Sequence, residues 1–126
     1  MRELTRAEEQ VMQVLWKIGK GFVKDVLEHF EEPKPAYNTI STIIRILQDK
    51  GFVSHRAYGR THEYYPVITK DEYSKSHLNT FVNDYFSNSF GKMVSFFARE
   101  RGISVKEMEE IMKIMDGEMK KIRAEK

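Results

Sequence analysis

Residues 37–65 read YNTISTIIRILQDKGFVSHRAYGRTHEYY, an amphipathic helix that runs straight into a basic hairpin. From Asn38 to Asp49 the apolar positions Ile40, Ile43, Ile44 and Leu47 fall at i, i+3, i+4 and i+7, the stripe of a helix with one buried side. At about 100° per residue, Asn38, Ser41, Thr42 and Arg45 lie opposite. An ordinary surface helix fills that side with Glu and Lys. Here it carries short hydrogen-bonding side chains and one Arg, types that meet base edges and phosphates in a major groove. Gly51 fits a left-handed helix stop. Two strand-like runs, Phe52 to Ala57 and Thr61 to Tyr65, then flank a turn at Tyr58-Gly59-Arg60. Helix followed by basic hairpin is the pattern of a winged helix-turn-helix.

Upstream, Thr5-Arg6-Ala7-Glu8 fits a capping box, in which Thr5 accepts from a first-turn amide and Glu8 reaches back. The helix it opens is predicted to bury Ala7, Val11, Val14, Leu15 and Ile18 and to stop at Gly19-Lys20-Gly21. A short second helix fits Lys24 to Phe30, with Val26, Leu27 and Phe30 inward. Pro33 and Pro35 break the chain before the third helix. The order is helix, helix, helix, hairpin, closing near Pro66.

Downstream the pattern is helical throughout. Thr69 with Glu72, and Ser104 with Glu107, are further capping boxes, and Ile103 with Met108 fits a hydrophobic staple. A break falls at Asn88-Ser89. These short helices carry more large apolar side chains than they can bury among themselves, and such a surplus marks an interface. The expected partner is a second copy of the chain about a two-fold axis, through Leu78, Phe81, Val82, Phe86, Met93, Phe97, Met108, Ile111, Met112 and Met115. The alternative is that this half folds back on the first. The fold class is therefore mainly α with a small β-hairpin: a winged helix-turn-helix domain over 1–67, then C-terminal dimerisation helices over 68–126.

At 126 residues the chain has room for one domain or a small domain with an appendage. No run approaches the roughly 20 apolar residues of a membrane span, and the first residues enter a helix pattern without a signal peptide. With no cysteine, disulfides, Cys-based zinc fingers and thiolate sensing are excluded. A cytoplasmic location without membrane insertion is the expectation. The net charge of +2 supports nucleic-acid binding only weakly. Its distribution matters more: Arg45, Lys50, His55, Arg56, Arg60 and His62 face a single acid, Asp49, between residues 45 and 62. His29, His55, His62 and His77 have no metal-ligand spacing, and no Gly-rich phosphate loop, nucleophile elbow or Cys nucleophile is present. Neither an enzyme nor a cofactor or metal is expected.

The chain resembles the penicillinase-repressor family of the BlaI and MecI type over roughly Leu4 to Met119. The resemblance rests on Glu8 through Val11-Met12 to Leu15-Trp16, on Thr39-Ile40 and Thr42 through Arg45 and Leu47 to Lys50-Gly51, and on Gly59-Arg60 and Tyr65-Pro66. It implies a dimeric repressor that binds a double-stranded operator with inverted repeats and dimerises through its C-terminal helices. Carried over by position, it places Asn38, Thr39, Ser41, Thr42 and Arg45 at the DNA and Arg60 at the wing. The family often has Ser-Pro-Lys-Thr where this chain has Ala36-Tyr37-Asn38-Thr39, so one basic contact is lost and Asn38 offers a bidentate contact to adenine instead. Members under β-lactam control are cut at an Asn-Phe bond after a membrane sensor protease detects the drug. The aligned bond here is Ser95-Phe96, with Phe kept and Asn replaced. The copper-responsive branch uses cysteines that this chain lacks.

Several positions admit a plainer role. Arg45 either contacts DNA or pairs with Asp49 at i+4. Thr39 either faces DNA or caps its helix. Lys50 fits a helix-dipole partner. Arg60 at the turn reaches outward, as a wing contact or as a solubilising residue. Arg56 and His55 point to opposite faces of one strand, and permanently charged Arg56 is the better DNA contact. Trp16 reads as packing under the hairpin or linker. The competing function is a winged-helix protein-interaction module with no DNA target.

Overall fold

The computed structural model describes residues 1–125 and orders them as three helices, a hairpin and three further helices. These are α1 (Arg6–Ile18), α2 (Val23–Glu28), α3 (Tyr37–Asp49), β1 (Val53–Tyr58), β2 (Thr61–Pro66), α4 (Lys70–Phe86), α5 (Phe90–Glu100) and α6 (Val105–Glu125). The chain forms two compact units, Met1–Leu78 and Asn79–Lys126.

The first unit is a winged helix-turn-helix. Its α1 begins at the expected capping box: the Glu8 amide donates to Thr5 Oγ1 at 3.2 Å and the Thr5 amide to Glu8 Oε1 at 2.9 Å. The buried stripe of α1 is Glu8, Val11, Met12 and Leu15, while Val14 and Ile18 are half-buried. Ala7, expected inside, is exposed. The inward face is rotated by about one residue because a carboxylate, not a methyl, occupies its N-terminal end. Helix α2 is shorter than the reading of Lys24 to Phe30. It starts at Val23, where Asp25 Oδ2 accepts from the Phe22 amide at 2.9 Å.

The core gathers Leu4, Val11, Met12, Leu15, Val26, Ile40, Ile44, Leu47, Phe52 and Val53. Burying eight fully enclosed apolar side chains, each worth about 1.5–3 kcal/mol, is the main force holding α1, α2 and α3 against the hairpin. The strands pair antiparallel, with Val53 opposite Pro66 and Tyr58 opposite Thr61, leaving Gly59-Arg60 as a two-residue turn. Only Gly59 has positive φ, +62°; Arg60 does not. One positive φ at the first central position fits a II′ turn better than I′. A bridge between Gly21 and Tyr64 ties the loop after α1 to the outer edge of β2.

The first unit extends past the expected boundary at residue 67. Tyr73, in the second turn of α4, is buried in the winged-helix core, with ring contacts to Trp16 and Phe52, both at 5.8 Å. Trp16 packs under the linker, its indole N–H donating to Ile68 O at 2.9 Å, which leaves it no role on bases.

In the second unit, α5 is capped by Ser89, and Ser104 Oγ accepts from the Glu107 amide at 3.1 Å at the start of α6. Phe86 lies 5.7 Å from Phe81 and 5.6 Å from Phe96, centroid to centroid. No residue of α5 or α6 is fully buried.

Candidate nucleic-acid interface

The polar side of α3 is open to solvent. Asn38, Thr39, Thr42 and Arg45 are exposed and Ser41 is half-buried, while Ile40, Ile44 and Leu47 fill the core beneath them. Arg45 Nη2 donates to Ser41 Oγ at 3.3 Å. No ion pair joins Arg45 to Asp49 among the described residues, so the guanidinium is held along the helix face rather than neutralised.

A groove runs between α2, α3 and the wing. Asn38, Ser41 and Arg45 form one wall and Arg60, Thr61 and His62 the other. Of the sequence-predicted contacts, four therefore share one concavity: Asn38, Ser41, Arg45 and Arg60. Thr39 and Thr42 sit on the exposed surface of α3 outside it. Arg56 is exposed on the other face of the hairpin, cross-strand from Glu63. His55 turns inward towards α3, as the strand alternation requires.

Two groove residues were not anticipated. Lys24, from α2, adds a third cation to Arg45 and Arg60. Tyr37, at the first turn of α3, is 53% exposed and stands at the groove wall. Asp25 also lines the groove, but its Oδ2 is engaged by the Phe22 amide. The concavity is thus basic, although the chain as a whole is nearly balanced. An exposed aromatic at the start of a helix was the available signal for Tyr37. For Lys24 there was none, because a lone Lys on a short helix is ordinary.

Lys50 is not the simple dipole partner expected. Its ammonium reaches Glu8 Oε1 at 2.6 Å and the Glu3 carbonyl at 3.2 Å, with little of either charged side chain exposed. Burial works to raise the Glu8 pKa, but the Lys50 hydrogen bond and charge and the Thr5 contacts outweigh it and hold the carboxyl below the usual glutamate value. Burial and the neighbouring Glu9 push the Tyr73 phenol up, partly offset by the Leu4 backbone.

In the second unit, Phe81, Phe97, Ile111, Met112 and Met115 are exposed. Met93, Met108 and Phe86 are half-buried, and Val82 is buried within the single chain. Leu78 is exposed at the end of the first unit. Ser95 and Phe96 lie in the middle of α5.

The penicillinase repressor family model matches residues 4–117, nearly the whole chain and both units. The chain belongs to the penicillinase repressor family. It is therefore a DNA-binding transcriptional repressor and not an enzyme. The repressor is 24% identical to the methicillin resistance regulatory protein MecI of Staphylococcus aureus (strain N315), over 90% of this chain and 94% of that protein. It is 26% identical to the penicillinase repressor of Bacillus licheniformis, over 90% of each, and 24% identical to that of S. aureus, over 94% and 95%. No helix among the repressor's described residues is long and apolar enough to cross a membrane.

Proposed function

We propose that the repressor acts in the cytoplasm as a homodimer on a pseudo-palindromic operator, with α3 of each protomer in a major groove and each wing on the adjoining backbone. The observation that carries this reading is the groove itself. Asn38, Ser41 and Arg45 on α3 face the same concavity as Arg60 on the hairpin turn. Asn38 and Arg45 supply hydrogen bonds to base edges, Ser41, Thr39 and Thr42 contact phosphate or thymine methyl, and Arg60 and Arg56 supply charge. Two such heads about a two-fold axis match half-sites spaced by about one helical turn or more.

The dimer contact assigned to α4, α5 and α6 rests on unburied apolar surface. Met112 is 69% exposed and Met115 58%, more than an isolated helical unit leaves in water without a partner surface. The assigned set is Leu78, Phe81, Val82, Phe86, Met93, Phe97, Met108, Ile111, Met112 and Met115, with Val82 supporting the contact from beneath.

Relief of repression by cleavage at Ser95-Phe96, through a membrane sensor protease or a protease downstream of it, extends the same reading. The bond is inside a helix, and Phe96 rests on Phe86. A protease needs extended chain, so cutting requires local opening of α5.

Selection of bound duplexes from a random DNA pool, followed by a mobility shift on the recovered sequence, tests the reading. Recovery of an inverted repeat retarded as a two-protomer complex is the expected result. A protein that retards no duplex even at low salt is the contrary one.

A further inference from the structure

The wing reaches the recognition helix through one polar contact. His55 Nδ1 lies 2.9 Å from Gln48 Oε1, so the imidazole N–H donates and the amide oxygen accepts. The His55 ring is stacked on His62 at 4.1 Å between centroids and 8° between planes. Because His55 pairs with Tyr64 and His62 with Ala57, this stack is a diagonal cross-strand contact. Gln48 therefore holds both strands at once. The cluster also lies between the two arms of the groove: Arg45 and Asp49 line the same small hollow as Gln48, His55 and His62.

We propose that Gln48 and His55 are positioning residues that set the angle of the wing over α3, and through it the reach of Arg60. The inference rests on the DNA-binding reading above. At about 3.3 Å per residue the turn lies roughly 13 Å beyond His55, so a tilt of about 5° carries Arg60 about 1 Å. A charge-assisted hydrogen bond to a phosphate tolerates little more than that. No other side-chain hydrogen bond joins α3 to the hairpin among those of the described residues. The remaining contact is apolar packing nearer the hairpin base, at Phe52, Val53 and Tyr64, which resists sliding better than tilting.

The test is a double-mutant cycle with Gln48→Met, which keeps the length and removes the acceptor, and Arg60→Ala. Affinity is read on a duplex recovered from the random pool. Each single change should weaken binding about tenfold and lower the salt slope by about one. The double variant should bind within about twofold of Gln48→Met, because a mispositioned Arg60 has nothing left to lose. His55→Phe, which keeps an aromatic ring for the stack but loses the donor, should behave as Gln48→Met does. Residual dipolar couplings of the free protein should show the hairpin reoriented relative to α3 in Gln48→Met, with α1 to α3 unchanged. Losses that multiply, or couplings identical to the parent, overturn the inference. So does an Arg60→Ala variant that binds like the parent, which removes the wing from the contact while leaving the recognition helix in place. A parent protein that binds no duplex removes the DNA-binding reading itself and the inference with it.

Discussion

Lys50 Nζ and Glu8 Oε1 are 2.6 Å apart, and this pair clamps the end of the recognition helix to the start of α1. The same carboxylate oxygen accepts from the Thr5 amide. One buried Glu thus closes a helix cap and neutralises a cation from 42 residues away. Removing one partner strands the other charge in a low-dielectric site. Lys50→Met is expected to destabilise the protein by about 3 kcal/mol in urea unfolding. Simultaneous replacement by Glu8→Leu and Lys50→Met should recover a good part of that loss. A single-variant midpoint equal to the parent's would show that the pair carries no stability.

The pH dependence follows in sign. The folded-state pKa of Glu8 is depressed, so the native state holds the carboxylate ionised more readily than the unfolded chain does. This contribution is fully present above the unfolded glutamate pKa and is lost as pH falls through the lower folded value. Unfolding free energies measured across that acid range should decline. The decline should be smaller in Lys50→Met, where the partner that favours ionisation is gone. An equal acid-side loss in both proteins would assign it to other groups.

Arg45 is the strongest candidate for reading a base. Its guanidinium is exposed and braced only by Ser41, free of the Asp49 pairing that would make it a surface ornament. Arg45→Ala should cost about 1–3 kcal/mol of operator affinity and relax preference at one base position. Repeating the selection with the variant checks both. Unchanged affinity with unchanged preference would place the contact elsewhere on α3.

The legible parts of this chain were those written within a few residues. The capping boxes at Thr5 and Thr69 and the Ile40–Leu47 stripe are local patterns, and they stand where expected. The turn at Gly59-Arg60 was likewise marked by its glycine. The Glu8–Lys50 pair, the Trp16 bond to Ile68 and the groove position of Lys24 join segments far apart in sequence. No periodicity encodes them. For the same reason Ala7 looked like core: the sequence offers a small apolar residue on nearly the right face, and only the distant lysine explains why Glu8 takes the inward place. Tyr73 carries the winged-helix unit into α4 because its ring completes an aromatic cluster with Trp16 and Phe52, which the expected boundary at residue 67 did not foresee.

The assembly makes its own prediction. Phe97 and Met112 are exposed in the second unit. Introducing a charge at both, Phe97→Glu with Met112→Glu, should convert a two-protomer species to one protomer in sedimentation equilibrium. Operator affinity should then fall steeply, since linkage of two heads raises avidity by about 10²–10⁴. A parent protein that sediments as a single protomer at micromolar concentration would remove the assigned interface.

The claim on which the rest depends is that the polar face of α3 meets DNA. Amide chemical shifts of the isotope-labelled protein, followed while duplex is added at low salt, test it residue by residue. The account predicts that Asn38, Ser41, Thr42, Arg45 and Arg60 move most, with the buried positions Val11 and Leu15 nearly still. Shifts confined to other surfaces, with α3 and the hairpin turn unmoved, would contradict it.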